Sequence, residues 1–257
     1  MRQDSRKGRW AHNAPKGNLA VGMMVVLGCL GGWVQAEEET QDQDAEERQT
    51  AAPVYRPPLR GVPGGRIGGG ARPALEGLTD LYLTALVPEG HVGVTLQAQP
   101  VLYWYTSKPL GQPVIFTLND SESYQPMAEV TLESPRQGGV QAIYLDDLGV
   151  TLAPDREYDW FVTVVIDPRQ PASNVVVGGY LYRQHDPAFD RQLARLDGAE
   201  RANAAASRGL WYDALEVLSR LVASQPHNPH WRRRRAALLE QGALEQVAAF
   251  DRAAAGN

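Results

Sequence analysis

From Leu81 onward, short apolar runs alternate with turn residues, and this pattern predicts β-strands. The run at 127–134 alternates most clearly, with Ala128, Val130 and Leu132 on one face and glutamate or threonine on the other. Strict alternation is typical of a half-buried strand, because successive side chains point to opposite faces. Eight runs are predicted to be strands: 82–88, 92–96, 101–107, 113–119, 127–134, 140–145, 158–167 and 175–183.

After Pro187 the spacing of the apolar residues becomes helical. One stripe runs from Phe189 to Ala199, and a second follows the break at Gly209. A third helix is expected to open at Pro229, because proline is favoured in the first turn of a helix; a short fourth helix is expected at about 243–252. The segment GLWYDALEVLSRLVASQPHNP resembles half of a tetratricopeptide repeat, so we expect a small helical hairpin unit.

The segment LAPDREYDW at 152–160 has the spacing L-x-P-x-x-x-Y-x-W. In immunoglobulin-like sandwiches, a tyrosine at the start of the penultimate strand bonds back to the preceding loop, an arrangement called a tyrosine corner. We expect Tyr158 to make that bond, and Leu152 and Trp160 to enter the core. A plain edge hairpin is the alternative interpretation.

Together these patterns predict an α+β chain that is mainly β. An immunoglobulin-like antiparallel β-sandwich is expected over 80–186, followed by a helical C-terminal unit over 187–257 that resembles part of a tetratricopeptide repeat. A single repeat-like unit cannot form a solenoid, because each repeat needs neighbours to bury its apolar face. We therefore expect the helical unit to pack on the sandwich or on a partner.

Residues 1–36 have the pattern of a secretory signal peptide. A basic stretch precedes an apolar run at 19–34, which is shorter than the roughly 20 residues of a membrane span. Small residues before an acidic stretch favour cleavage after Ala36. We expect an exported protein, periplasmic or extracellular, without a stable transmembrane span after cleavage. An uncleaved anchor and lipidation at Cys29, the only cysteine, are the alternatives.

Two segments of unusual composition follow. Residues 37–59 are acidic and then proline-rich, which predicts a disordered spacer. The Arg/Gly-rich strip at 60–79 begins with RGVPGGRIGGGAR and lacks the G-K-[ST] ending of a phosphate loop, so a linker is the first interpretation. Arg60, Arg66 and Arg72 recur every six residues within it, and docking of this strip on the acidic sandwich is a further hypothesis.

The charge distribution argues against a nucleic-acid partner. Residues 80–186 carry thirteen acidic and five basic side chains. A nucleic-acid-binding domain needs a positive surface to meet the phosphate backbone. We expect a protein partner instead.

Aromatic residues supply further candidate interaction sites. In the strand at 101–107, Trp104 points opposite to Tyr103 and Tyr105, so one side fills the core and the other is a candidate for exposure. An exposed pair would stack on a sugar ring or on a partner residue, whereas cross-strand packing is the alternative. Trp211 and Tyr212 of the helical hairpin are also interaction candidates, together with Arg60, Arg66 and Arg72.

The sequence predicts no catalytic, metal-binding or cofactor-binding residue, and no cofactor. The acidic pair Asp146-Asp147 lies in turn-like sequence, where solvation explains it. His227 and His230 lack a third ligand nearby. The run RRRR at 232–235 spans one helical turn and is interpreted as solvated, with an anionic surface as the alternative partner.

Several motifs, taken in order, resemble a bacterial family known as domain of unknown function 928. They are RGVPGGRIGGGAR at 60–72, LTALVP at 83–88, VLYWY at 101–105, LAPDREYDW at 152–160 and GLWYDAL at 209–215. The resemblance covers roughly residues 60–245. It implies an exported protein with a β-rich body and a helical tail, and it implies no activity.

These observations predict a non-enzymatic interaction or adaptor protein of the periplasm or cell envelope. A glycan-binding or cell-wall-binding module that uses the aromatic strand at 101–107 is the alternative. A hydrolase is a third hypothesis, which would require two carboxylates in a cleft or a serine beside a histidine.

Overall fold

The structure is a computed structural model that describes residues 51–58, 65–68, 81–123 and 125–256. The predicted signal peptide and residues 37–50 of the predicted spacer lie outside these described residues. Arg60 and Arg72 of the Arg/Gly-rich strip also lie outside them.

Each of the eight apolar runs overlaps a strand, and the described residues include one further short strand in the Arg/Gly-rich strip. The runs are rich in β-branched and aromatic residues, which pack well on a pleated surface. In the described residues the strands are β1 (Arg66–Ile67), β2 (Leu83–Ala85), β3 (Gly93–Thr95), β4 (Val101–Thr106), β5 (Val114–Asp120), β6 (Gln125–Leu132), β7 (Gly139–Tyr144), β8 (Arg156–Val164) and β9 (Val175–Arg183).

The strands form two sheets. The larger sheet has the order β1-β9-β8-β5-β6, with β3 pairing to a separate part of β9. The smaller sheet has the order β2-β4-β7. All these pairs are antiparallel except β3 with β9, which is parallel. The sequence predicted an antiparallel sandwich and did not predict this parallel pair.

Helices follow the last strand. In the described part of the chain they are α1 (Pro187–Leu193), α2 (Gly198–Ser207), α3 (Trp211–Ser224), α4 (Pro229–Gln241) and α5 (Glu245–Ala255), and a 3-10 turn (Pro171–Ser173) precedes β9. The chain is therefore an α+β mixture, as predicted.

The stripe that begins at Phe189 forms two helices rather than one. The side chain of Asp186 caps α1 by accepting a hydrogen bond from the N–H of Phe189. The chain then turns before α2, where Gly198 adopts a φ of +41°. Glycine tolerates this positive φ because it has no Cβ. The interruption results from this backbone turn, which the spacing of apolar residues does not encode.

The central strand of the smaller sheet, β4, is buried along its whole length. Because alternate side chains point to opposite faces, Tyr103 and Tyr105 share one face and Trp104 occupies the other. The ring of Tyr105 meets the ring of Phe250 in α5 edge-on, with centroids 5.3 Å apart. Helices therefore cover the β4 part of one face of the smaller sheet.

Two aromatic residues at the start of α3 join the helices to the sheets. The indole N–H of Trp160 in β8 donates to the hydroxyl of Tyr212 at 3.0 Å, and that hydroxyl donates to the carbonyl of Tyr180 in β9 at 3.1 Å. The indole N–H of Trp211 donates to the carbonyl of Leu86 at 2.8 Å. The sheets and the helices consequently share one hydrophobic core.

The approach of α3 to the sheets requires a glycine in β3. A Cβ atom at Gly93 would lie 2.5 Å from Cε2 of Tyr212. This distance is well inside van der Waals contact, so the position excludes a side chain while the Tyr212 ring stays in place.

Residues 51–58, here called the N-terminal arm, pack against the helices. The side-chain amide of Gln241 donates to the carbonyl of Pro53 and accepts from the N–H of Tyr55, both at 2.8 Å. The Tyr55 ring is buried and contacts the rings of His91 and Trp211 at centroid distances of 5.6 and 5.1 Å. The prediction of a disordered spacer is wrong for the arm, because a buried aromatic ring and paired backbone groups offset the ordering entropy.

Arg66 lies against the body of the protein. It belongs to β1, which pairs with β9 at Gly178 and Gly179. Its guanidinium donates to the carbonyl of Ala243 at 2.9 Å and lies 3.4 Å from the carboxylate of Glu89. This part of the Arg/Gly-rich strip is therefore paired into the larger sheet.

Tyr158 makes the back-bond that the L-x-P-x-x-x-Y-x-W spacing predicts. The N–H of Ala153 donates to the Tyr158 hydroxyl at 2.7 Å. Leu152 and Trp160 are both fully buried. These contacts fix the loop that leads into β8.

Replacing Tyr212 with phenylalanine tests the junction between α3 and the sheets. The ring stays, but the indole N–H of Trp160 and the carbonyl of Tyr180 lose their partner, at about 1–3 kcal/mol per buried group. We expect the free energy of unfolding in urea to fall by about 2–4 kcal/mol. The control Tyr144→Phe alters a ring that is 40% exposed and should change it by less than about 0.5 kcal/mol. Equal effects of the two variants would contradict the account.

Candidate functional site

A groove of about 890 Å³ opens between the smaller sheet and the helices. On the sheet side it is lined by Val140, Ala142 and Tyr144 of β7, which share one face of that strand. On the helix side it is lined by residues of α3, α4 and α5, including Phe250. Ala142 and Tyr144 are exposed, so the groove is open along the strand.

The outer edge of β7 is free of other strands. Within the described part of the chain, β7 pairs only with β4. Just beyond β7, the N–H of Leu145 points toward the β4 side and donates to the carbonyl of Pro100 at 3.4 Å. Because these directions alternate along an antiparallel strand, the backbone groups of Val140, Ala142 and Tyr144 point to the free edge.

A buried ion pair forms part of the groove on the helix side. The guanidinium of Arg235 in α4 makes two hydrogen bonds to the carboxylate of Asp251 in α5, both at 2.7 Å. Arg235 also donates to the hydroxyl of Ser219 in α3 at 3.3 Å. This bidentate pair, together with the bond to Ser219, holds three helices in one arrangement.

The groove is cationic. Arg220, Arg232 and Arg235 line it, and no carboxylate is among its described lining residues. Glu216 pairs with Arg220 and Asp251 pairs with both other arginines, so one positive charge is in excess. Arg232 lies 3.6 Å from Asp251, but its Nε is buried and has no hydrogen-bond partner in the described part of the chain. The side chain of Arg232 is 21% exposed, so a ligand in the groove would meet the exposed part of this side chain and not the buried Nε.

A smaller cleft of about 540 Å³ continues from the groove. Tyr144 and Arg220 line both spaces, with the guanidinium of Arg220 6.0 Å from the centre of the Tyr144 ring. Arg220 also pairs with Glu216 at 2.7 Å. The smaller cleft includes Asp146 and Asp147, so its charge is mixed rather than cationic.

Tyr103 places its hydroxyl at the groove. Burial raises the pKa of Tyr103 above its ordinary value, and the nearby carboxylate of Glu216 raises it further. The hydroxyl is therefore protonated at neutral pH and hydrogen-bonds with Ser219. Tyr103 presents a neutral polar group beside the arginines.

Asp213 lies in the first turn of α3 and ties the helix to β3. Burial raises the pKa of Asp213 to about 7, although hydrogen bonds from the Thr95 side chain and the Leu96 N–H lower it in part. The Leu96 N–H lies 3.3 Å from the carboxyl. The carboxyl thus changes charge near neutral pH in a buried site.

The aromatic candidates are not a free surface. Tyr103, Trp104 and Tyr105 are only 4%, 2% and 6% exposed, so the expectation of an exposed pair on this strand is wrong. Trp104 is in the core, and the helices cover the other face of the strand, which sequence alternation cannot show. Trp211 and Tyr212 are buried between the helices and the sheets.

Other residues that the sequence singled out are dispersed. Within the described ranges, no group of three or more His, Cys, Asp or Glu side chains is arranged to hold a metal ion. The described helices include none long and apolar enough to cross a membrane. Of the RRRR run, Arg233 is exposed whereas Arg235 is buried.

Sequence reasoning missed the groove residues Tyr144, Arg220, Arg232 and Arg235 as a set. Tyr144 and Arg220 are far apart in the sequence and meet only through packing of α3 over the smaller sheet. The available signal was the RRRR run at 232–235, because four arginines on one helical turn cannot all face solvent.

The described residues define an α+β protein with a cationic groove between a small sheet and a helical unit. The chain belongs to the family described as Domain of Unknown Function (DUF928), which its sequence matches over residues 67–251. This match confirms the resemblance found in the motifs. A comparison with curated proteins gave no match.

One solved structure was also found to be similar, the crystal structure of a multi-domain immunophilin from Arabidopsis thaliana. The similarity covers 69% of this chain and 94% of that chain, with 8% sequence identity and a TM-score of 0.17. At so low a TM-score it carries no argument about this protein.

Asp213→Asn tests the buried carboxyl. The raised pKa of Asp213 means that the fold favours the neutral form: this contribution is fully present below the ordinary pKa of 3.8 and is lost as pH rises through about 7. We expect the stability of the wild type to fall across this range by an amount on the order of 2–4 kcal/mol.

The Asp213→Asn variant carries no ionisable group at this position, so its free energy of unfolding should fall less between pH 4 and about 8. Urea unfolding at several pH values measures the difference, with exposed Asp190→Asn as the matched control. The same pH slope in the wild type and the Asp213→Asn variant would show that Asp213 does not ionise in the folded state over this range.

Proposed function

We propose that this chain is an exported, non-enzymatic interaction protein of the periplasm or cell envelope, and that it binds a protein partner in the groove. The observation that carries the proposal is the open, cationic groove of about 890 Å³ beside the free edge of β7. Exposed sheet edges and grooves between helices are two recurring sites of peptide recognition. Here both occur at one place.

Rigid support of the groove favours binding. The Arg235–Asp251 pair and Ser219 hold α3, α4 and α5 together, and Tyr105 packs against Phe250 below them. A preformed site loses less conformational entropy when a partner binds. A preformed groove is therefore more typical of an adaptor than of a segment that folds only when it binds.

Export is the part of the proposal that rests on sequence. A basic stretch, an apolar run at 19–34 and small residues before an acidic segment support a signal peptide that ends at Ala36. The mature chain would then contain no cysteine, and its stability would depend on the core shared by sheets and helices.

We further infer that the two sheets form an immunoglobulin-like sandwich. The order β9-β8-β5-β6 in one sheet and β2-β4-β7 in the other, together with the back-bond of Tyr158, supports this assignment. The successive helices α3 and α4, which are joined by a short turn, support a hairpin like part of a tetratricopeptide repeat.

A glycan ligand is the second candidate, and one observation favours it. The Tyr144 ring is exposed at the point where the groove meets the smaller cleft, beside Arg220. An exposed ring flanked by polar groups is able to stack on a sugar. This candidate now rests on Tyr144 and no longer on the buried strand at 101–107.

Photo-crosslinking from position 144 tests the proposal. Benzoylphenylalanine is placed at Tyr144 in the groove or, as the matched control, at Val176 on the larger sheet; the native side chains are 40% and 41% exposed. In the native cell envelope we expect one dominant protein adduct from position 144, absent from position 176. The adduct should also be lost with Arg232→Glu, because the groove then loses a cation.

Identical adducts from both positions, or no protein adduct at all, would contradict the proposal. Recovery in the cell-wall fraction without a protein adduct would favour the glycan candidate. Point substitutions are preferable to deletion of residues 187–257, since that deletion removes Trp211 and Tyr212 from the shared core.

A further inference from the structure

We infer that the groove takes an extended segment of a partner protein, which adds as a strand to the free edge of β7 and presents both acidic and apolar side chains to the helices. This inference rests on the proposed function and names the kind of partner. It is carried by the backbone of β7, by the charge of the groove and by the composition of its lining.

The backbone of β7 provides the pairing site. Val140, Ala142 and Tyr144 direct their N–H and C=O groups to the edge that no described strand covers. β7 is six residues long, so an added strand of similar length would be paired along about 20 Å. Main-chain hydrogen bonds of this kind supply affinity with little sequence preference.

The side chains of the groove supply the preference. Alternate side chains of an added strand would face the helices, where the three arginines 220, 232 and 235 outnumber their two paired carboxylates, Glu216 and Asp251. A carboxylate on the added strand would complement this excess positive charge, with the partly exposed side chain of Arg232 as its nearest partner. The half-buried ring of Phe250 and the exposed side chains of Ala142 and Tyr144 offer apolar contact to the other facing positions.

Two alternative occupants fit less well. The acidic segment of this chain at 37–50 has seven carboxylates but only Ala45 as an apolar side chain, so it would meet the arginines and leave the apolar lining uncovered. A second copy of the chain would offer its own β7, GVQAIY, which contains no carboxylate. An acidic and apolar segment of another protein satisfies both features.

Binding of short synthetic peptides to the purified full chain tests the inference. The probe is a fluorescein-labelled, end-capped nonapeptide in which Thr occupies odd positions and Asp and Val alternate at even positions. Its control carries Lys in place of Asp. We expect fluorescence anisotropy to show binding of the Asp probe at least about tenfold tighter than that of the Lys control.

Two protein variants separate charge from strand pairing. Arg232→Gln should weaken the Asp probe by about tenfold, because a charge-assisted hydrogen bond is lost. Ala142→Pro removes one N–H from the free edge and should weaken binding by a similar factor, whereas Ala142→Val keeps the N–H and should not. Circular dichroism and the urea midpoint confirm that each variant is folded.

N-methylated probes make the test independent of the folding of any variant. Methyl groups on the alternate backbone nitrogens that face β7 would block pairing, while methyl groups on the other set would leave it intact. We expect one methylated set to lose binding and the other to retain it. Equal binding of both sets would overturn strand addition.

The remaining outcomes are also decisive. Equal binding of the Asp and Lys probes would overturn the acidic preference. Tighter binding of a synthetic peptide of residues 37–50 would assign the groove to this chain's own segment, and a dimer dissociated by Ala142→Pro would assign it to a second copy. A protein adduct from position 144 without any probe binding would leave the proposed function standing and overturn this inference alone.

Discussion

The insertion of Trp211 and Tyr212 into the sheets is the constraint on which the rest of the structure depends. Tyr212 links β8 and β9 through its hydroxyl, and Trp211 bonds to the segment after β2, so the first turn of α3 is held by strands of both sheets. Gly93 leaves the space that this insertion needs. The helical region is therefore a part of the core rather than an appended tail.

The position of α3 determines the groove. Once its first turn is fixed, its later turns place Ser219 and Arg220 over the face of β7, and the Arg235–Asp251 pair sets α4 and α5 beside them. Because the covered part of the sheet ends before Ala142 and Tyr144, one strand edge stays accessible. The same packing that buries the aromatic strand thus leaves an open cationic site next to it.

The strands, the back-bond of Tyr158 and the family were predictable from the sequence, because alternation and local spacing are encoded within a few neighbouring residues. The groove was not, since Tyr144 and Arg220 meet only through tertiary packing. The composition of the N-terminal arm predicted disorder. The buried ring of Tyr55 nevertheless stabilises an ordered arm despite its polar and proline-rich sequence. The burial of Tyr103 and Tyr105 was also not predictable, because a sequence pattern does not show that helices cover the second face of a sheet.

Hydrogen exchange measured by mass spectrometry in increasing urea tests most directly whether the helices and sheets form one core. Amides in α3 and in β8 should lose protection at the same urea concentration, because Tyr212 and Trp160 share one buried hydrogen bond. Loss of protection in α3 at clearly lower urea, while β8 stays protected, would show an independent helical unit. That result would contradict the claim that the groove is rigid because the helices and sheets share a single core.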